Sequence, residues 1–148
     1  MASFVADVHL AKLAKLLRLL GFDTLYFTHI EDEELLKISK DERRWIVTKD
    51  RALCTRAQRC LLIRAKDPKE QLEEVLEALN LTQCHPFSRC LVDNALLKAV
   101  PKEEVLAKIP PKVAQWCEEF QRCPECGRIY WKGSHYDRMK RFIDEVCG

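Results

Sequence analysis

Short apolar runs alternate with longer amphipathic segments over the first 80 residues of the chain. Four runs have the length and the β-branched or aromatic content of strands: residues 4–6, 24–27, 45–48 and 60–63. After each run, apolar residues recur at helical spacing, which predicts helices over about residues 10–20, 31–40, 51–57 and 68–79. Four strand–helix units predict an α/β domain whose strands form one parallel sheet between two layers of helices.

The strand–helix repeat ends near residue 82. The rest of the chain contains most of its prolines and cysteines, and no further strand–helix unit is visible there. We therefore predict two domains. Residues 1–82 would form a three-layer domain with a four-stranded parallel sheet, and residues 83–148 would form a smaller domain that ends in a helix.

The composition is that of a soluble globular protein, since 47% of the 148 residues are hydrophobic and 32% are charged. The net charge of +2 is too small to indicate nucleic-acid binding by itself. The N-terminus lacks a secretory pattern, and no apolar run approaches the roughly 20 residues that cross a bilayer. We expect a cytoplasmic protein without a membrane segment. In a reducing compartment, CxxC pairs are read as metal ligands or redox sites rather than structural disulfides.

Three aspartates, Asp7, Asp32 and Asp50, stand where a predicted strand gives way to a helix. In a parallel sheet these positions share the edge at which such folds bind ligands. Carboxylates that converge there repel one another unless a cation relieves the crowding. The pattern therefore favours a Mg²⁺ or Mn²⁺ site and metal-assisted phosphodiester chemistry. The alternative is that each aspartate caps its own helix, because aspartate is a favoured N-cap.

Basic residues accompany these aspartates. Lys12, Lys15 and Arg18 lie on one face of the first predicted helix, and further cations lie at or near the same predicted edge: Lys49, Arg51, Arg56, Arg59 and Arg64. A cationic rim beside an acidic pocket suits a polyanionic substrate. The same residues are equally compatible with ordinary solvated surfaces.

A CxxC pair, Cys123 and Cys126 followed by Gly127, is typical of a zinc knuckle that leads into a strand. Cys90 stands where a second knuckle would begin, but its partner position is Asp93. Asp93 can bind zinc through oxygen, and three other residues are alternatives for the fourth ligand: Cys84, His85 and His135. An empty site or a disulfide within the CxxC pair also fits the pattern. The remaining cysteines are expected to be thiols in the core or at the surface: Cys54, Cys60, Cys117 and Cys147.

Aromatic and basic residues are interleaved after the knuckle: Tyr130, Trp131, Lys132, His135, Arg138, Lys140 and Arg141. Such a segment can stack on unpaired bases while it holds phosphates. Alternatively, the two aromatic residues pack a small core and the cations cover a helix surface. His135 by itself is expected at a turn or helix start.

Several segments together resemble one family of ribonucleases. They are DVHLAKLAKLLRLLG at residues 7–21, DEELL at 32–36, TKD at 48–50, PFSRC at 86–90, CPEC at 123–126 and YWKGSH at 130–135. Their ordered combination resembles the PIN-like ribonucleases, in particular the family named for the C-terminal RNase domain of the Mut-seven exonuclease protein. That family joins a PIN-like domain to a zinc ribbon.

The resemblance implies roles for named residues. It implies an acidic site at Asp7, Asp32 and Asp50, with Lys12 and Arg18 in the site region. It also implies zinc ligands at four positions: Cys90, Asp93, Cys123 and Cys126. This chain departs from the family pattern at Asp93, where the pattern has cysteine, and at Ala52, where PIN-type sites often carry a fourth carboxylate nearby.

We therefore expect a Mg²⁺- or Mn²⁺-dependent endoribonuclease that cleaves single-stranded RNA, with Lys12 and Arg18 holding a phosphate or developing charge. The structural zinc ribbon would add affinity for RNA, and the expected RNA-binding residues are Lys15, Lys49, Arg51, Arg64, Tyr130, Trp131, Lys132, His135 and Arg138. One alternative is an RNA-binding module that has lost turnover. A phospho-receiver domain is disfavoured, because it needs a lysine after a fifth parallel strand.

Overall fold

A computed structural model of the protein describes residues 1–147. Its first four strands form one parallel sheet: β1 (Phe4–Ala6), β2 (Thr24–Tyr26), β3 (Trp45–Thr48) and β4 (Cys60–Leu62). Their order across the sheet is β2-β1-β3-β4, so β1 and β3 are the central strands. Phe4 pairs with Thr24 on one side and with Trp45 on the other, which places the ends of β1 and β3 side by side. The predicted four-stranded parallel sheet is confirmed.

Four helices follow these strands: α1 (Ala11–Leu19), α2 (Asp32–Glu42), α3 (Arg51–Thr55) and α4 (Pro68–Ala78). Helices α1 and α4 bury their apolar residues with Phe4, Ala6 and Val47 on one face of the sheet. Helices α2 and α3 pack with Val5 and Ile46 on the other face. Side chains therefore alternate along β1 and β3 between two separate cores, one on each face of the sheet. The predicted three-layer arrangement is confirmed.

A second, antiparallel sheet lies in the C-terminal part of the chain. It consists of β5 (Lys98–Val100), β6 (Phe120–Arg122) and β7 (Ile129–Tyr130). Between β5 and β6 lie two short helices, α5 (Lys102–Val105) and α6 (Pro111–Trp116), with a 3₁₀ turn at Leu106–Lys108. Val105, Phe120 and Cys117 are buried in the small core of this region.

The last helix, α7 (Ser134–Cys147), returns to the first part of the protein. Its buried residue Ile143 belongs to the same core as α1 and α4. Within residues 1–147, no helix is long and apolar enough to span a membrane.

Two disulfides correct part of the cysteine interpretation. Cys54 is joined to Cys60 and Cys84 to Cys147, so the expectation of thiols at Cys54, Cys60 and Cys147 was wrong. The fold brings the Cα atoms of these pairs to 5.4 and 5.9 Å, distances that a disulfide can bridge. For Cys84 and Cys147 this proximity depends on the return of α7, which no local pattern shows. Cys117 is a buried free thiol, as expected.

The segment before β5 is bound to the end of α1. The backbone N–H of His85 donates to Leu20 O at 2.8 Å, and that of Phe87 donates to Leu19 O at 3.0 Å. Gly21 makes this approach sterically feasible, because a Cβ at this residue would lie 2.3 Å from the carbonyl oxygen of His85. Its φ of 93° also favours glycine. The second region is thus tied to the first from its start.

Candidate functional sites

Asp7 and Asp50 are joined by one threonine at the ends of the two central strands. The Thr48 hydroxyl donates to Asp7 Oδ2 at 2.7 Å and accepts a hydrogen bond from the backbone N–H of Asp50 at 3.0 Å. Thr48 is fully buried, and the N–H of Asp7 donates to Val47 O at 3.0 Å. The two aspartates are therefore held in place by the sheet and by Thr48 before any ligand binds.

Sequence reasoning missed Thr48, which it treated as the last residue of a strand. A strand alternates its side chains between faces, and Thr48 is a polar side chain at an inward-facing, fully buried position. A buried hydroxyl needs a hydrogen-bond partner. Its position two residues before Asp50 was the feature of the sequence from which a contact between the two residues could have been predicted.

Helix capping explains only one of the three aspartates. Asp50 does cap α3, because its Oδ1 accepts from Leu53 N at 3.1 Å. Asp7 does not cap α1, whose N-cap is Leu10 and which has no side-chain cap. Nor does Asp32 cap α2, where the N-cap position is Glu31. Asp7 and Asp32 thus lack the structural role that the alternative interpretation gave them.

The carboxylate oxygens of the three aspartates differ in the hydrogen bonds that they accept from the protein. Asp7 Oδ1 accepts only a long contact from His9 N at 3.4 Å. Among residues 1–147, no donor is found for Oδ2 of Asp50. Asp32 is exposed in the first turn of α2, the helix that follows the neighbouring edge strand β2. Each aspartate therefore keeps oxygen lone pairs for an external ligand.

The three aspartates do not form a tight cluster. Within residues 1–147, the one group of three or more metal-ligating side chains with atoms all within 4.8 Å of one another lies elsewhere, at the cysteines. A Mg²⁺ ion is usually held by one or two carboxylates, while water and substrate phosphates complete its shell. The Asp7–Thr48–Asp50 arrangement fits that kind of site, with Asp32 available from α2.

Several of the predicted cations face solvent. Lys12 is exposed in the first turn of α1, which follows Asp7. Four other predicted RNA-binding cations are also exposed: Lys15, Lys49, Arg51 and Arg64. Arg56 instead forms an ion pair with Glu33 in the first turn of α2, and this contact raises the pKa of Arg56.

Arg18 is not brought to the acidic edge. Its guanidinium is buried, and Nε donates to Thr24 O at 2.9 Å. Thr24 pairs with Phe4, three residues before Asp7, which is about 10 Å along the strand at about 3.3 Å per residue. The other donors of Arg18 reach the carbonyls of Leu91 and Val92. The structure thus gives Arg18 main-chain partners at the opposite edge of the sheet.

The second candidate site combines Cys90, Asp93, Cys123 and Cys126. Cys90 Sγ and Cys126 Sγ lie 3.7 Å apart. Cys123 Sγ lies 3.2 and 3.1 Å from the two carboxylate oxygens of Asp93. These are the four positions that the family resemblance implied as ligands. The alternatives are not used, since Cys84 forms a disulfide and neither His85 nor His135 joins the group.

This donor set fits a metal ion. Zn–S bonds of about 2.3 Å in a tetrahedral site place two sulfurs about 3.8 Å apart, close to the separation of Cys90 and Cys126. Burial, with the carboxylate of Asp93 beside the thiol, raises the pKa of Cys123 to about 12 despite a hydrogen bond from the backbone of Cys126. A metal ion would have to displace that proton, because the thiolate is the ligand.

Hydrogen bonds to the backbone shape the ligand loops. The N–H of Ala95 donates to Asp93 Oδ1 at 3.0 Å, which orients the carboxylate. Burial alone would raise the pKa of Asp93, but this bond and the neighbouring thiols outweigh it and lower that pKa. Gly127, with φ of 77°, follows Cys126 and donates to Cys123 O at 2.9 Å, which closes the knuckle turn.

Tyr130 and Trp131 pack inside the second region. The Tyr130 hydroxyl lies 3.1 Å from Cys90 Sγ and accepts from Leu91 N at 3.2 Å. Trp131 packs against the small core, with its ring 6.1 Å from that of Phe120. The structure therefore favours the packing interpretation for both rings. Lys132, His135 and Arg138 are exposed around the start of α7, where the Lys132 ammonium lies 5.3 Å from the Tyr136 ring.

Comparison with known protein families identifies the family of this chain. A family model described as the Mut7-C RNAse domain matches residues 2–143. The match covers nearly the whole chain, so the protein belongs to this family, and the resemblance found in the sequence is confirmed. The family description indicates a ribonuclease-type function, a hydrolase whose substrate is RNA. No curated protein and no solved structure matched the chain.

Proposed function

We propose that the protein is a metal-dependent endoribonuclease that cleaves single-stranded RNA at the edge carrying Asp7, Asp32 and Asp50. The observation that carries this proposal is the hydrogen-bonded chain from Asp7 through Thr48 to Asp50. It links the carboxylate of Asp7 to the backbone of Asp50 at neighbouring strand ends, and family membership indicates the reaction class.

Asp7, Asp50 and Asp32 would hold Mg²⁺ or Mn²⁺. A bound divalent cation supplies Lewis-acid polarisation of the phosphoryl group, a more acidic water and neutralisation of the leaving oxygen. Thr48 fixes the orientation of Asp7 by donating to Oδ2, and Oδ1, with only the long contact from His9 N, would be free to hold the cation. The capping bond does the same for Asp50, because Leu53 occupies Oδ1 and leaves Oδ2.

The exposed cations would bind the RNA backbone. Lys12 is a candidate for holding a phosphate beside Asp7, because it lies in the first turn of the helix that follows Asp7 in the chain. The other proposed phosphate contacts are Lys15, Lys49, Arg51, Arg64, Lys132, His135 and Arg138. Arg18 is left out of this set, since its donors already bind carbonyl oxygens. Tyr130 and Trp131 would support the RNA-binding surface by packing beneath it.

The Cys90, Asp93, Cys123 and Cys126 group would hold a structural Zn²⁺ ion. A full set of four protein ligands leaves no open position for a substrate, which is the pattern of structural rather than catalytic zinc. The ion would order the knuckle and the short strands beside it, and the region would contribute RNA affinity.

A circular, fluorescently labelled single-stranded RNA tests this proposal, because only an endonuclease can open it. We expect cleavage with Mn²⁺, none with EDTA, and loss of activity in Asp7→Asn and Asp50→Asn. Asparagine keeps the cap at residue 50 while removing the charge. Asp67→Asn is the matched control, because Asp67 caps α4 and should tolerate the same change. Wild-type rates in both Asp7→Asn and Asp50→Asn would contradict the proposal.

The same assay addresses the alternative of an RNA-binding module without turnover. Retained binding of the RNA in EDTA, with no product under either divalent cation, would favour that alternative. The circular substrate must be compared with its linear form, because cleavage of the linear form alone would indicate an exonuclease.

A further inference from the structure

The loop at residues 90–94 serves two parts of the molecule at once. Its side chains Cys90 and Asp93 belong to the candidate zinc site. The carbonyls of the intervening residues, Leu91 and Val92, point instead to the parallel-sheet region. Two backbone bonds close the loop, from Asn94 N to Cys90 O at 2.9 Å and from Cys90 N to Ala95 O at 2.8 Å. A shift of the ligands therefore moves the carbonyls as well.

Arg18 donates hydrogen bonds to those two carbonyl oxygens. Its Nη1 donates to Leu91 O at 3.0 Å and to Val92 O at 3.1 Å, while Nε donates to Thr24 O at 2.9 Å. Arg18 is only 6% exposed, so water does not replace these partners easily. A buried guanidinium that loses its acceptors is strongly disfavoured. One side chain thus joins α1, strand β2 and the metal-binding loop.

Asn94 forms a second connection next to the first. Its Oδ1 accepts from the backbone N–H of Thr24 at 2.9 Å, and its Nδ2 donates to Asp23 Oδ1 at 2.7 Å. Thr24 is the first residue of β2, an edge strand of the parallel sheet. The start of this strand is therefore held from two sides by residues that belong to, or bind, the metal loop.

We propose that Arg18 is a positioning residue that couples metal binding at Cys90, Asp93, Cys123 and Cys126 to the order of strand β2. The proposal rests on zinc binding there, as proposed above. Coupling between two sites is reciprocal. Zinc that fixes the loop stabilises the start of β2, and the loss of the Arg18 guanidinium weakens zinc binding although Arg18 is not a ligand.

Zinc affinity of the full-length protein, measured by competition with a chromophoric chelator, tests the coupling. Arg18→Met removes the guanidinium at similar side-chain length, and we expect about tenfold weaker zinc binding, the effect of losing charged hydrogen bonds. Gln71→Met is the matched control. Gln71 is a buried residue of α4 that donates to Ala65 O at 3.0 Å, so its loss should change zinc affinity less than about twofold. Equal affinities in Arg18→Met and wild type would overturn the coupling.

Hydrogen exchange of the wild-type protein gives a test that does not depend on a variant folding. We expect the Thr24 amide, held by Asn94, to exchange about tenfold more slowly with zinc than without it. The Ile63 amide, which donates to Thr48 O at 2.8 Å on the far side of the sheet, is the internal control and should change less. Unchanged exchange at Thr24 would overturn the coupling. If the wild-type protein bound no zinc, the zinc site itself would be overturned as well. The chelator competition distinguishes that result from a zinc site that is not coupled to β2.

Discussion

The acidic edge and the cysteine–aspartate site are built in different ways. Asp7 and Asp50 follow adjacent strands, and the buried Thr48 between them fixes both by ordinary hydrogen bonds. The cysteine site is assembled from two loops 30 residues apart, with thiol contacts to Asp93 of 3.1 and 3.2 Å. The first site is positioned by the fold itself. The second is held by thiol–carboxylate contacts and by the bond from Ala95 N to Asp93, and we propose that a metal ion would hold its ligands together more firmly.

This comparison predicts unequal effects of metal removal on stability, and this is the largest effect we expect. Stripping zinc with a strong chelator should lower the midpoint of thermal unfolding substantially, because structural zinc in small modules contributes on the order of 10 kcal/mol of binding free energy. Omitting Mg²⁺ and Mn²⁺ should hardly change that midpoint. Differential scanning fluorimetry of the protein with each metal checks this expectation.

Cys126→Ser serves as the control for that measurement, since it should abolish the response to zinc without affecting the response to Mn²⁺. If removal of Mn²⁺ lowered the midpoint of thermal unfolding as much as removal of zinc does, the proposed difference between the two sites would be contradicted.

The role of Thr48 gives the second prediction. Thr48→Val keeps the shape but leaves Asp7 Oδ2 and Asp50 N without their shared partner. We expect a 10–100-fold loss of RNA cleavage, the usual effect of losing a residue that orients metal ligands. Thr48→Ser retains the hydroxyl and should keep most of the activity. Rates for both variants at saturating Mn²⁺ separate the effect on catalysis from the effect on metal affinity. Equal activity of Thr48→Val and Thr48→Ser would contradict the proposed positioning role of Thr48.

A smaller effect is expected from the acid titration of Asp23, which lies where the two regions meet. Burial disfavours its charged form, but hydrogen bonds from Arg44 and Asn94 outweigh burial and lower the pKa of Asp23 below its usual range. Its contribution to stability is therefore complete above the unfolded-state pKa of about 3.9. It is lost as the pH falls through the lower folded-state pKa.

Because the Asp23 side chain is 36% exposed, solvent screening limits that contribution to about 1 kcal/mol. Urea unfolding between pH 2.5 and 7 should show a flatter acid limb for Asp23→Asn than for the wild type. Asp41→Asn, which removes an exposed carboxylate of α2, is the matched control and should change the profile less. Superimposable profiles for Asp23→Asn and wild type would contradict this account.

The parallel-sheet region was largely predictable because each of its elements has a local signal. Short apolar runs marked the four strands, and apolar residues at helical spacing marked the helices that follow them, as the structure confirms. The strand at Ile129–Tyr130 was also expected after the CxxC knuckle. These features depend on residues close together in the chain.

Features that depend on distant contacts could not be predicted in the same way. Arg18 looked like a surface cation at a site, yet its partners at Leu91 and Val92 lie more than 70 residues away. The Cys84–Cys147 disulfide depends on the return of α7, at a separation of 63 residues. Hydrophobic periodicity carries no information about such pairings. Thr48 was missed for a different reason, because an inward threonine in a strand is usually only a packing residue.

We propose that Asp7 and Asp50, linked through Thr48, bind a divalent cation. Anomalous diffraction from a crystal soaked in Mn²⁺ tests it most directly. We predict a manganese peak in contact with both carboxylates, and its loss in a crystal of Asp7→Asn soaked identically. An ordered acidic edge with no manganese on either aspartate, at a concentration that supports RNA cleavage, would contradict the account.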